Sequence, residues 1–210
     1  MNYGQLKTEV LDIAKMTITD TVGARVAAFI RRAESMIAQH VRALEMVSSG
    51  TILEAARVTS GIYTLPTNFL QRLSVYGTHG GAQYQVTPAA LAELRTYAIG
   101  APPFWHAIYG GRIEFRGAPP ASSSFDLIYF ARPAAMSGDS DEPALLTAHE
   151  SLYLHGALHW LYLDAHRSEL AAAHRDGFFA DAEQINKVAK AAMAAGVIAT
   201  HYNYAEGSAM

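Results

Sequence analysis

Hydrophobic positions recur at spacings of three and four through the first part of the chain. Leu6, Val10, Ile13 and Ala14 share one face of a helix expected over residues 2–15. Thr17 to Thr21 favours a turn and a helix N-cap. Val22, Val26, Phe29, Ile30, Ala33, Ile37, Val41 and Leu44 then mark a longer amphipathic helix over 22–47. Its polar side carries Arg25, Arg31, Arg32, Glu34, Gln39, Arg42 and Glu45, and Ser48-Ser49-Gly50 ends it.

From Thr51 the pattern changes to short apolar runs between turn residues. Segments 51–58 and 61–65 read as a hairpin around Thr59-Ser60-Gly61, and 69–77 as a strand turning through Thr78-His79-Gly80-Gly81 into 82–86. Thr87 with Pro88 predicts the start of a short helix reaching Tyr97. Segments 104–109 and 112–116 flank Gly110-Gly111, a two-residue hairpin signal. Residues 124–131 form the last expected strand, followed by an acidic loop over 138–143.

Residues 148–166 are apolar nearly all round, through Leu152, Tyr153, Leu154, Ala157, Leu158, Trp160, Leu161, Tyr162 and Leu163. Such a helix is buried on several sides, by its own chain or by neighbours. It is too short to span a membrane. Residues 168–194 are amphipathic and can fold back on it as an αα-hairpin. Residues 196–210 show no period and read as an extended arm. The fold class expected is α+β, predominantly helical: N-terminal helices 2–47, an antiparallel β-rich insertion 51–131 and a helix pair 148–194. Together they are read as one domain, 1–195.

Composition narrows the chemistry. Of 210 residues, half are hydrophobic, enough for a real core, and the formal net charge of −3 carries no general basic excess for nucleic-acid binding. With no cysteine, disulfides, thiolate metal sites and cysteine nucleophiles are excluded. The first residues, with Lys7, Glu9 and Asp12, lack the apolar run of a signal peptide.

Five histidines, His149, His155, His159, His166 and His174, fall close together in sequence. His155 and His159 share a helix face at the spacing of two metal ligands, which opens a metal-dependent hydrolase as an alternative. The zincin pattern needs a glutamate right after the first histidine, and Gly156 stands there. Satisfied helix or interface histidines are the plainer reading, and an interfacial set would loosen assembly in acid. No GxSxG elbow, P-loop or GxGxxG occurs. No catalytic, cofactor or metal residues are assigned. Asp139 and Asp141 read as a solvated acidic turn. Arg31, Arg32 and Arg42 either contact an anionic partner or, as the plainer reading, simply solvate a helix face. Large amphipathic rings anchor interfaces, so Tyr202, Tyr204, Trp160 and Tyr153 join Arg31 and Arg32 as candidate interface residues.

Four stretches carry a resemblance. They are LPTNFLQRLSVYG (65–77), GGRIEFRGAPP (110–120), FDLIYFARPAAMS (125–137) and the helical run 145–192, in which Tyr153, Leu154, Gly156, Ala157 and Leu158 match a YL-x-GAL element. In combination the chain resembles the head-to-tail adaptor (head completion, or connector) proteins of tailed bacteriophages. His149 and His159-Trp160 depart from that pattern. The resemblance implies a virion structural protein of the head-tail neck and not an enzyme. It implies a ring, typically a dodecamer, beneath the portal, assembled in the host cytoplasm. Such a ring extends the DNA channel, touches passing double-stranded DNA, and meets portal, tail, stopper or nozzle proteins but no membrane. A small binding module without a ring state is the remaining alternative.

Overall fold

The computed structural model describes residues 1–54, 61–99, 103–117 and 123–195. Among the described residues helices outweigh strands about two to one, 47% against 24%, so the fold is mixed α and β with helix in excess. It falls into two compact units: Met1–Met46 with the chain from Pro133 onward, and Val47–Arg132.

The helical unit opens with α1 (Tyr3–Ala14). Asn2 and Gln5 form a reciprocal capping box: the Asn2 side chain accepts from Gln5 N at 2.9 Å, and the Gln5 side chain from Asn2 N at 2.8 Å. A 3₁₀ turn, Gly23–Arg25, leads into α2 (Val26–His40). This helix is shorter than the 22–47 the periodicity predicts. Val41 is extended, and the Asn186 side chain closes the end from another helix. Its Oδ1 accepts from Arg42 N at 2.7 Å and its Nδ2 donates to His40 O at 2.9 Å. Those bonds satisfy backbone groups that further helix would have used.

After the β unit come α4 (Ala144–Ala148), α5 (Glu150–Asp164) and α6 (Ser168–Ala194). α5 and α6 pack on each other, and His149 separates α4 from α5. α5 packs against α1, α2, α4 and α6. Its all-round apolar character is thus accounted for largely within one chain. Leu152, Tyr153, Ala157, Leu158 and Leu161 are buried, and Leu163 is the large apolar side chain left half exposed. Gly156 permits a close approach to α2: a Cβ there would lie 2.8 Å from the Cβ of Ala33.

The described residues of the β unit form two four-stranded sheets. The first runs β1 (Val47–Glu54), β8 (Ser124–Ala131), β3 (Phe69–His79), β4 (Ala82–Gln85). The second runs β2 (Ile62–Thr64), β7 (Arg112–Phe115), β6 (Trp105–Tyr109), β5 (Thr87–Pro88). Both glycine hairpins form as expected. Gly80-Gly81 and Gly110-Gly111 all have positive φ, which two-residue turns between twisted strands require.

Two expectations here are corrected. Among the described residues, 51–54 and 61–65 do not pair with each other: β1 pairs with β8 in one sheet and β2 with β7 in the other, and residues 55–58 of the expected first strand lie outside the described residues. The turn residues Thr59 and Ser60 expected between them lie outside the described residues. The helix expected from Thr87 to Tyr97 shrinks to α3 (Leu91–Leu94). Thr87 N donates to Phe104 O and Ala89 N to His106 O, so this segment spends its amides on a parallel pairing with β6, and Pro88 has no amide to miss. Residues of both sheets share one apolar cluster, with the Phe115 and Phe125 ring centroids 4.4 Å apart.

Candidate functional site

The sequence-predicted residues scatter over the helical unit. Tyr153 is 1% exposed, so its ring is spent on the interior of the chain itself. Burial pushes its hydroxyl well above the usual phenol range, with the charge of Glu34 adding to the effect. Glu34 is half-buried and is itself pushed up by burial. The Met136 amide, which donates to Glu34 Oε1 at 3.0 Å, and Arg31 oppose that rise. Arg31 is exposed and acts electrostatically on Glu34 and Tyr3.

Arg32 and Trp160 are brought together. The guanidinium of Arg32 stands 5.2 Å from the Trp160 ring, and Trp160 Nε1 donates to the sulfur of Met36 at 3.1 Å. A guanidinium over an indole face is favourable, and such a pair presents both apolar area and charge at a surface. Tyr202 and Tyr204 lie outside the described residues.

The histidines do not form the arrangement that spacing suggested. His155 turns to α6, where its Nδ1 lies 3.0 Å from Nδ1 of His174. His159 Nδ1 is 2.9 Å from the carbonyl of Ala171, a geometry in which the ring nitrogen donates. Among the described residues no group of three or more His, Asp or Glu side chains is placed to hold a metal ion. The i, i+4 pair is therefore divided between two separate partners, and the hydrolase alternative loses the convergence it needs. His174 completes a seam that one-helix spacing could not reveal, since its partner lies on the other helix. Tyr162 stacks on it at 5.4 Å and 21°. Burial, then the charges of His155 and His159, hold the His174 imidazole below its ordinary value.

The acidic loop is held by local partners, with Asp139 itself exposed. Lys7 on α1 pairs with Asp139, and Asp141 accepts from the amides of Ser137 and Gly138 at 2.8 and 2.9 Å. Those amides, Ser137 first, hold the Asp141 carboxyl below the usual range. The loop thus fastens α1 to the chain entering α4. Beside it a broad open groove is lined by Gln5, Glu9, Asp12, Ile13 and Asp139.

The described surface offers helix faces, a ring-cation contact at Arg32 and Trp160, and glycine turns. A family model described as SU10 adaptor protein matches residues 1–200. The chain belongs to this family of phage head-to-tail adaptors. No curated protein matches it. As a member of the SU10 adaptor family it is a structural phage protein, a component of the virion that joins head and tail. Among the described residues of this adaptor no helix is long and apolar enough to cross a membrane.

Proposed function

We propose that this adaptor acts as a ring subunit seated beneath the portal, typically twelve to a ring, which extends the DNA channel and presents a docking surface to tail, stopper or nozzle proteins. Residues 1–195 would work as one adaptor domain and 196–210 as a docking arm, with assembly in the host cytoplasm. The observation that carries the reading is the family match over residues 1–200. Three features support it. The chain carries a net charge of −3, which lets DNA slide past without the counterion release that makes basic proteins hold it. The Arg32–Trp160 pair supplies an aromatic and a cation at one surface, the residue types that dominate protein interfaces. Two glycine hairpins project turns from the β unit, where sequence can vary without cost to a core.

The test is the mass and shape of the purified chain alone and mixed with its portal protein, by light scattering and negative-stain microscopy. A ring stacked coaxially on the portal is expected. A chain that stays monomeric with portal present would overturn the ring.

A further inference from the structure

Two surfaces of the helical unit are opposite in charge and similar in build. The first is the α1 groove, where Glu9 and Asp12 are exposed beside Ile13, itself 43% exposed, with Asp139 at the rim and paired to Lys7. The second lies on the later turns of α6. Lys187 and Lys190 flank a hollow next to His40 and to Phe179, which is 41% exposed. Lys187 shares its charge with Glu183 at 3.0 Å, whereas both side chains are about two-thirds exposed, so that contact is weak and exchangeable.

The two surfaces sit on different helices, each packed on α5. α1 packs on α2 and α5, α6 packs on α5, and among the described residues α1 and α6 share no broad contact. A surface cannot meet its complement within one chain when the two lie apart in this way. It can meet the complement on a second copy. Contacts joining unlike patches are heterologous, and when the rotation closes they generate rings.

We infer that the α1 groove of one copy receives the α6 hollow of the next, with Glu9 and Asp12 facing Lys187 and Lys190 of the neighbour and Ile13 set against its Phe179. The occupant of each groove is thus a second copy of this chain. This inference rests on the ring reading above and specifies its subunit contact. Each exposed ion pair contributes little alone. Weak contacts of this kind leave free subunits apart and add up only when a template holds many copies side by side.

The experiment uses the full chain with its portal protein and compares three variants and one mixture. One carries Glu9→Lys with Asp12→Lys, a second Lys187→Glu with Lys190→Glu, a third all four changes, and the last sample is an equal mixture of the first two. All four positions are exposed, and circular dichroism checks that each variant is folded. Each double reversal alone should lower ring occupancy on the portal at least tenfold. The fourfold variant, and the mixture in an even-numbered ring, should recover it. A damaged portal contact would not recover on mixing, because every copy would still carry a changed surface. Rings that form equally well from either double reversal would overturn this contact and leave the ring itself standing. So would reversals that abolish rings without recovery in the fourfold variant. Failure of the unaltered chain to form rings would remove the ring reading and the contact together.

Discussion

The Nδ1 atoms of His155 and His174 lie 3.0 Å apart across the α5–α6 seam. At that distance one nitrogen must donate and the other accept, so the contact exists only while at least one ring is neutral. Protonating both would bring two cations into contact beside a third imidazole, His159, whose charge also acts on His174.

The sign of the pH dependence follows. The folded protein holds His174 below its ordinary value, so the unfolded chain binds the proton more readily. Stability from this site is complete above the ordinary histidine value of 6.5 and is lost as pH falls below it. The melting temperature of the helical unit should drop between pH 7 and pH 5, and His174→Gln should flatten that drop. An unchanged slope in the variant would show that other groups set the acid response.

A second acid-sensitive group sits in the β unit. His106 on β6 is 1% exposed, and among the described residues neither ring nitrogen has a hydrogen-bond partner in normal geometry. Burial, then the charge of Arg72, push it down to about 4, against a smaller pull from the backbone at Val86 and Thr87. The folded β unit should therefore lose on the order of 3 kcal/mol as pH falls from 6.5 through 4. The chain has two tryptophans, Trp105 in the β unit and Trp160 in the helical unit. Single-tryptophan variants thus report each unit separately. In the Trp105-only form, His106→Leu should remove most of the acid loss in denaturant unfolding.

Gly156 tests the packing of α5 on α2. Alanine favours a helix over glycine by about 1 kcal/mol, so on propensity alone Gly156→Ala would stabilise. The new methyl would sit 2.8 Å from the Cβ of Ala33, however, and 3.4 Å from the Phe178 ring. Overpacking of that kind costs about 1–3 kcal/mol, and the two effects nearly cancel for alanine. Gly156→Leu gains the same propensity and adds far more bulk. It should shift the urea midpoint down strongly, whereas Gly156→Ala should move it little.

The arm is tested by removing it. A chain ending at Ala195 keeps α6 whole. It should melt as the full chain does and yet lose binding to the portal. Portal binding at full strength would remove the docking role proposed for residues 196–210.

What the sequence disclosed was local. α1, α6, the two glycine hairpins and the last strand each carry their signal in neighbouring residues, through period, cap or turn. The errors all come from distant partners. Val41 and Leu44 continue the spacing of α2, but Asn186, far along the chain, ends that helix. The Thr87-Pro88 pair reads as a helix start until Phe104 and His106 claim the adjacent amides. Histidine spacing pointed to His155 with His159, both on one helix, whereas the contact that forms joins His155 to His174 on another. The apolar circumference of α5 was legible, yet not whether its own chain or a neighbour would cover it.

The division of the chain sets an order on how it comes to be folded. α1 and α2 belong to the same unit as α4, α5 and α6, and all of Val47–Arg132 is made between them. During synthesis the first two helices must wait for their main packing partner while that whole stretch emerges, a delay of about ten seconds at ordinary elongation rates. Phe29, Ile30, Ala33 and Ile37, fully buried in the finished protein, face water for that interval. The β unit, contiguous in sequence, has no such wait. The nascent adaptor is therefore most exposed to aggregation and to chaperones before α5 leaves the ribosome, and a pause in translation within the β segment would lengthen that hazard.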